Sequence, residues 1–218
     1  MILSTIEQWL RDFADLALSG KISFHNEPSM QMKLACFLRC KISSDPAYSD
    51  YAVDVEVDID KAVNVAPKTY SFTKKRIDLV IFKGKTLKDI ATSEKKFAIE
   101  LKFPTNGQYP ETMYHFIQDI AFMEEAKGIE TTCNGKWFND TFCFTFANDS
   151  NFYQSTGRKT SKTIYNYFRY SPNATITGVI NNPIAGKNPS TLNVLGNYTI
   201  QWLPNQNNQN MKYYLITI

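Results

Sequence analysis

The chain has 218 residues, of which 43% are hydrophobic and 21% are charged, a composition typical of one globular domain with a sizeable core. No apolar run reaches the roughly 18 to 20 residues that a transmembrane helix needs, which argues against a membrane protein. Charged residues interrupt the N-terminal segment too early for a secretory signal: Glu7, Arg11, Asp12 and Asp15. Four cysteines without such a signal favour free thiols in a cytoplasmic protein over a disulfide framework.

Charge is distributed unevenly along the chain. The first 149 residues carry 18 basic and 21 acidic side chains, a net charge of −3, and Asp149 is the last acidic residue. The remaining residues carry six basic side chains and no acidic one, a net charge of +6. This asymmetry favours a polyanionic partner for the C-terminal third. The alternative is a lysine-bearing surface that merely lacks acidic residues.

The N-terminal part of the chain predicts two helices followed by three strands. Apolar residues at helical spacing predict a helix over residues 2–18, and Asn26 is a suitable N-cap for a second helix. Alternation of apolar and polar residues predicts a first strand over 51–59 with an acidic outer face. Apolar runs predict a second strand over about 75–82 and a third over about 96–103.

A further helix is predicted to start near Pro110, and alternating phenylalanines from Phe142 to Phe146 indicate another strand. The order α-β-β-β-α-β predicts an α/β fold in which helices flank a central mixed sheet. Short strands are expected in the C-terminal part, around residues 176–180, 198–202 and 213–218. We therefore expect a single domain with three parts, namely an N-terminal helix (1–23), a core (24–148) and a basic, β-rich extension (149–218).

The second predicted strand contains one acidic residue within an otherwise apolar run. Asp78 is the only polar residue between Ile77 and Phe82, so both faces of this strand are otherwise apolar. An ionised carboxylate inside such a strand is costly unless a positive charge compensates it. Asp78 is therefore expected to have a cationic partner.

The third predicted strand carries two charged residues on one face, Glu100 and Lys102, opposite a face of large apolar residues. If the two strands are neighbours, about 4.8 Å apart, Asp78 and Glu100 can hold one hard cation between them. Two carboxylates and a backbone carbonyl suit Mg²⁺, and Lys102 can reach a metal-bound water or a phosphate oxygen. The alternative is an exposed, salt-bridged strand face, which leaves Asp78 unexplained.

Asp78, followed by Glu100-Leu101-Lys102 on the next strand of an α-β-β-β-α-β core, resembles the PD-(D/E)XK nuclease superfamily. Restriction endonucleases, Holliday-junction resolvases and repair exonucleases belong to this superfamily. The resemblance covers roughly residues 24–148 and implies a restriction-endonuclease-like core. Ile77 stands before the aspartate where the family motif has proline, a departure that the family often tolerates.

The resemblance implies Mg²⁺-dependent hydrolysis of phosphodiester bonds, with Mn²⁺ as a substitute for Mg²⁺. Asp78, Glu100 and the backbone carbonyl of Leu101 would hold the metal, and Lys102 would orient the attacking water or stabilise charge on the phosphate. Glu27 resembles the glutamate that many members carry on their first core helix, which makes it a further catalytic candidate that could help to hold a second ion. The alternative is that an acid in a first helical turn is favourable by itself. Gln118 resembles a glutamine that some members direct toward the site, and its alternative is an exposed helix residue.

Basic residues alternate with tyrosines after residue 150, and four of them are candidates for contact with phosphates: Arg158, Lys159, Lys162 and Arg169. The alternative is a half-buried segment whose basic side chains extend to the solvent.

Together these features predict a DNA endonuclease, most similar to type II restriction enzymes, that acts on double-stranded DNA. The resemblance also implies a homodimer where both strands are cut. Three alternatives stay open. They are a resolvase or repair nuclease of the same fold, a nucleic-acid-binding module that does not cleave, and a protein whose strand-face charges are purely structural.

Overall fold

The computed structural model describes residues 2–63, 76–105, 107–128, 137–154, 163–169, 175–183, 190–204 and 210–218. The helices of these ranges are α1 (Ile2–Leu18), α2 (Glu27–Ser44), α3 (Ile59–Val63), α4 (Leu87–Ile90), α5 (Tyr109–Lys127) and α6 (Ile164–Phe168). The strands are β1 (Tyr51–Asp58), β2 (Arg76–Lys83), β3 (Lys96–Lys102), β4 (Asp140–Ala147), β5 (Thr175–Asn181), β6 (Thr191–Thr199) and β7 (Lys212–Thr217). None of the helices in these ranges combines the length and apolarity needed to cross a membrane.

Five strands form a mixed central sheet in the order β1-β2-β3-β4-β7. β3 and β4 are parallel, and the other neighbouring strands of this sheet are antiparallel. Parallel neighbours need a crossover connection, and α5 supplies it between β3 and β4. The predicted α/β architecture, with a mixed sheet flanked by helices, is confirmed.

The strands β2, β3 and β4 are buried on both faces, as the apolar sequences of β2 and β3 predict, whereas the edge strand β1 exposes Val55 and Glu56. On one face, Leu79, Ile81 and Ile99 pack in a cluster that includes residues of α1 and α2. On the other face, Val80 and Ala98 pack in a cluster that includes residues of α5. The two faces of each strand therefore belong to different cores, and the side chains of Asp78, Glu100 and Lys102 are directed to the α5 side because they alternate in step with Val80 and Ala98.

β5 and β6 pair with each other as a separate antiparallel ribbon. The inner side of the ribbon packs against α5, because Ile176, Ile180 and Val194 belong to the same apolar cluster as α5. α5 consequently lies between the central sheet and the ribbon and is buried on nearly all sides, as a helix in that position must be.

The prediction of a strand over 198–202 was wrong in its position. β6 spans Thr191–Thr199 and ends before that segment does. The asparagines and the glycine of β6 are typical of a turn. The segment nevertheless pairs with β5 along its backbone, and alternate side chains face inward, namely Leu192, Val194 and Tyr198. Tertiary packing against α5 therefore overrides a composition that indicates a loop.

The start of α2 is fixed by the cap that the sequence predicts. The Asn26 side chain accepts a hydrogen bond from the Ser29 backbone N–H at 2.9 Å, and the Ser29 hydroxyl accepts one from the Asn26 backbone N–H at 3.3 Å. This reciprocal pair satisfies two N–H groups that the helix itself leaves without acceptors. It also holds Glu27 at the first helical position of α2, close to the end of β3.

Candidate active site

Asp78 and Glu100 lie opposite each other on neighbouring strands. The antiparallel β2–β3 ladder ends at the pair Leu79–Ile99, and Asp78 and Glu100 are the next residues of the two strands beyond that pair. One carboxylate oxygen of Asp78 accepts a hydrogen bond of 2.7 Å from the backbone N–H of Leu101. The structure thus brings together the two acidic side chains that the sequence placed on consecutive strands.

Lys102 lies at the centre of a group of carboxylates. Its Nζ is 3.5 Å from an oxygen of Glu27, 3.9 Å from one of Glu100 and 3.5 Å from one of Asp119. The same ammonium donates a hydrogen bond of 2.9 Å to the backbone carbonyl of Leu101. We refer to Glu27, Asp78, Glu100, Lys102 and Asp119 as the Lys102 cluster.

The cluster is largely shielded from solvent. The side chain of Glu100 is 1% exposed, that of Asp119 10% and that of Lys102 20%, whereas that of Glu27 is 37% exposed. Glu27 therefore lies where the cluster opens to the solvent, and Glu100 lies at its base.

Burial by itself lowers the pKa of Lys102, because it penalises the charged form. The attraction of Asp119, Glu100, Glu27 and Asp78 outweighs this penalty and raises the pKa of Lys102 well above its usual value. Lys102 is consequently an ammonium group at neutral pH, so it acts as a positive charge and hydrogen-bond donor and not as a base. Four carboxyl groups surround this single ammonium, which leaves the cluster with an acidic excess that favours a further cation.

Glu27 lies in the cluster, at the first helical position of α2. One of its oxygens contacts Lys102, and the other accepts a hydrogen bond of 3.2 Å from the backbone N–H of Phe103. The carboxylate thus also binds the backbone where β3 ends.

Gln31 lies one turn after Glu27 on α2 and was not among the predicted site residues. Its amide donates hydrogen bonds to the backbone carbonyl of Asp78 at 2.8 Å and to the Glu56 carboxylate at 2.9 Å. Glu56 has a left-handed backbone conformation, with φ of +51°, which is unusual for a glutamate within a strand. The i, i+4 spacing of Glu27 and Gln31 is the signal that could have indicated their common face.

Asp119 is the one member of the cluster that was not predicted from the sequence. It lies on α5 directly after Gln118, the residue that the resemblance to the family had indicated. Successive residues of an α-helix are about 100° apart around its axis, so two neighbours cannot both point at one site. In the structure Asp119 contacts Lys102 while Gln118 is half-buried on the same helix. The available signal was an acidic residue at i+3 from Phe116, on the buried side of α5.

The structure describes only one of the four basic residues that are expected to contact nucleic acid. Arg158, Lys159 and Lys162 lie outside the described residues. Arg169 is half-buried, its Nε donates to the backbone carbonyl of Asn151, and its guanidinium lies 3.9 Å from the ring centroid of Tyr165. The side chain of Arg169 therefore packs within the chain, and its contact with DNA stays a prediction.

The donor atoms of the Lys102 cluster suit magnesium. Asp78, Glu100 and the Leu101 carbonyl offer only oxygen ligands, which is the type that this ion prefers. The ammonium of Lys102 already contacts that carbonyl, so an ion bound there would replace the lysine as its partner. In the described ranges no three side chains of His, Cys, Asp or Glu are grouped closely enough to form a metal site by themselves. Comparisons of the chain with protein-family models, curated proteins and solved structures find no match.

Proposed function

We propose that the chain is a magnesium-dependent DNA endonuclease that hydrolyses phosphodiester bonds, of the type II restriction kind. One observation carries the proposal: an ammonium, Lys102, lies within 4 Å of carboxylates from β3, α2 and α5, beside an aspartate of the adjacent strand. Buried charges are costly, and their concentration at the end of one strand favours a chemical role over a structural one.

Each member of the cluster has a distinct role in this proposal. Asp78, Glu100 and the Leu101 carbonyl would hold magnesium, which when bound supplies positive charge to the scissile phosphate and lowers the pKa of a bound water. Lys102 donates a hydrogen bond to the attacking water or to a phosphoryl oxygen and stabilises the negative charge that develops there.

The remaining carboxylates act through Lys102. Asp119 keeps the ammonium charged and directs it toward the site, which makes Asp119 a positioning residue. Glu27, at the exposed side of the cluster, holds the Phe103 backbone and limits the movement of Lys102 at the end of β3. Positioning of this kind matters because a displacement of about 1 Å can reduce a rate roughly 100-fold.

The proposed substrate is double-stranded DNA, and two features support it. Residues after Asp149 carry only basic charges. The outer face of the β5–β6 ribbon exposes Asn181, Asn193 and Asn197. A two-stranded ribbon fits the major groove, and asparagine can pair with the edge of adenine there.

A buried carboxylate attaches the ribbon to α5. Glu124 accepts hydrogen bonds from the backbone N–H groups of Leu195 and Gly196, at 3.0 and 2.6 Å, and from the hydroxyl of Tyr198 at 2.9 Å. α5 also carries Asp119, so one helix joins the proposed DNA-contacting ribbon to the Lys102 cluster.

Cleavage of supercoiled plasmid tests the proposal. Wild-type protein should nick or linearise the plasmid with Mg²⁺ and not with EDTA, and Lys102→Ala or Asp78→Asn should abolish the products. Lys83→Ala is the matched control. Lys83 lies at the end of β2 and forms an exposed ion pair with Asp50, so this variant should cleave normally. Discrete fragments would indicate a restriction specificity, and a preference for branched or ended DNA would indicate a resolvase or repair nuclease. Unchanged cleavage by Lys102→Ala would overturn the site assignment.

A non-cleaving nucleic-acid-binding module is the second candidate. The observation that favours it is the hydrogen bond from Lys102 to the Leu101 carbonyl, since the ammonium takes the acceptor that the metal would use. This candidate predicts salt-dependent DNA binding without metal and no cleavage products at any ion concentration.

A further inference from the structure

The pairing of β1 with β2 is interrupted beside the candidate active site. Within the described register of this ladder, every position of β1 is paired except the one at which Glu56 would lie opposite Asp78. At that position a side chain of α2 binds the strand, because the amide nitrogen of Gln31 donates a hydrogen bond of 2.8 Å to the backbone carbonyl of Asp78. The peptide of a proposed magnesium ligand is therefore bound by a helix side chain.

The amide of Gln31 also joins this peptide to Glu56. The same nitrogen donates a second hydrogen bond, of 2.9 Å, to the Glu56 carboxylate. A side-chain amide nitrogen has two N–H groups, and here each has its own acceptor. A hydrogen bond to a carboxylate is stronger than one to a neutral group. Glu56 therefore fixes the orientation of the amide that binds Asp78.

Glu56 makes this contact from a backbone conformation that is unfavourable for a glutamate. Its φ of +51° lies in the left-handed region, where the Cβ atom of an L-residue is crowded and glycine is the usual residue. The side chain is exposed, so packing in the core does not require it. Glycine would suit the backbone better, and what the glutamate adds is its carboxylate. Conformations of this kind concentrate at functional sites, where the surrounding structure maintains the strain.

We propose that Gln31 and Glu56 are positioning residues, which fix the peptide of Asp78 and thereby the direction of its carboxylate. The Leu101 N–H already binds one oxygen of that carboxylate at 2.7 Å, so Asp78 is held from β3 at one end and from α2 at the other. Partners that orient a metal ligand in this way determine the affinity of the site for its ion. The inference rests on the proposed function, because Asp78 is a ligand in that proposal.

Calorimetric titration with Mg²⁺ in the absence of DNA tests the inference. Gln31→Leu removes the donor, and Glu56→Gly removes the carboxylate that orients it. Each variant should raise the dissociation constant for Mg²⁺ by about 10- to 100-fold, the usual cost of losing a hydrogen-bond partner of a metal ligand. Glu56→Gln should remain close to the wild type, because its side-chain carbonyl still accepts the bond from Gln31.

Urea unfolding without metal separates positioning from stability. Glu56→Gly should unfold at the wild-type urea concentration or above it, because glycine relieves the strain of the left-handed conformation. Asp54→Gly is the matched control on the same strand, where φ is negative. It should unfold at a lower urea concentration, since glycine weakens a strand, and should bind Mg²⁺ as the wild type does.

The outcomes distinguish this inference from the proposed function. If Glu56→Gly and Gln31→Leu bind Mg²⁺ as tightly as the wild type, the inference is overturned and the nuclease proposal is unaffected. It is also overturned if Glu56→Gly is less stable than Asp54→Gly, because Glu56 would then be a structural residue. A wild type that binds Mg²⁺ without cleaving DNA would contradict the nuclease proposal alone, and a wild type that binds no Mg²⁺ would overturn both.

Discussion

The ammonium of Lys102 lies 3.5 Å from a carboxylate oxygen of Asp119, which joins the end of β3 to the middle of α5. The same ammonium is 3.5 Å from Glu27 at the start of α2. A single lysine thus provides the positive charge at the point where three elements meet. Removal of that charge would take away the ammonium that contacts the buried carboxylates of Glu100 and Asp119, which is the basis of the first prediction.

Lys102→Met should destabilise the protein by about 3 to 5 kcal/mol near pH 8, because breaking a buried ion pair leaves uncompensated charge. The loss should be smaller at pH 5. In the variant the buried carboxyl groups favour their protonated forms, so the folded state binds more protons than the unfolded state and stability falls as pH rises. Urea unfolding at the two pH values measures the difference.

In the wild type, Lys102 itself contributes no such decline in stability between pH 5 and 8. The folded-state pKa of Lys102 is raised, so its contribution is fully present below the unfolded-state pKa of about 10.4 and is lost only as pH rises through the folded-state value. Lys83→Met, which removes an exposed partner of Asp50, is the control and should cost no more than about 1 kcal/mol. Equal losses for the two variants at pH 8 would contradict the proposed compensation.

Asp119→Asn should reduce the rate of DNA cleavage by up to about 100-fold, because the amide no longer holds the Lys102 ammonium in position. Gln118→Ala should leave the rate near that of the wild type. Single-turnover cleavage rates of both variants compare Asp119, which contacts Lys102, with its neighbour Gln118. A larger effect at Gln118 than at Asp119 would show that the helix presents the other face to the substrate.

Magnesium should raise the midpoint of thermal unfolding without any substrate present. A ligand at 100 times its dissociation constant stabilises the folded state by about 2.7 kcal/mol. EDTA should reverse the shift, and Asp78→Asn should abolish it, since Asp78 is a proposed ligand. A shift that persists in Asp78→Asn would assign the ion to a different site.

Gly196→Ala should lower stability by about 1 to 3 kcal/mol, the usual cost of overpacking. A Cβ atom at Gly196 would lie 2.6 Å from Cζ of Tyr198, whose hydroxyl binds Glu124. The ring would have to move, and the ribbon would lose part of its attachment to α5. Asn197→Ala, at the exposed neighbouring position, is the control and should leave the unfolding midpoint in urea unchanged.

A salt titration of DNA binding should distinguish the basic residues that contact phosphates from the one that packs within the chain. Arg158→Ala and Lys159→Ala should each reduce the slope of log affinity against log salt by about 0.9, the value for one phosphate contact. Arg169→Ala should mainly reduce stability, by about 1 kcal/mol, through loss of its contact with the Tyr165 ring. Unchanged slopes for the first two variants would remove them from the DNA-contacting surface.

The sequence by itself indicated the first three strands of the central sheet and the strand faces that carry the central charges. Alternation along residues 51–58, 76–83 and 96–102 is a local property of the chain, so it indicates strands and assigns Asp78, Glu100 and Lys102 to faces before any packing is known. The cap at Asn26 is equally local, since donor and acceptor lie three residues apart.

Only the tertiary structure decided which residues complete the cluster and where the ribbon forms. Asp119 and Gln118 differ by one step of helical rotation, and the docking of α5 between sheet and ribbon selects the residue that faces Lys102. β6 is a strand because α5 covers its inner side chains and Glu124 binds its backbone, in spite of a composition typical of turns. Both outcomes depend on contacts between residues more than 15 positions apart, and a pattern within one segment contains no record of such contacts.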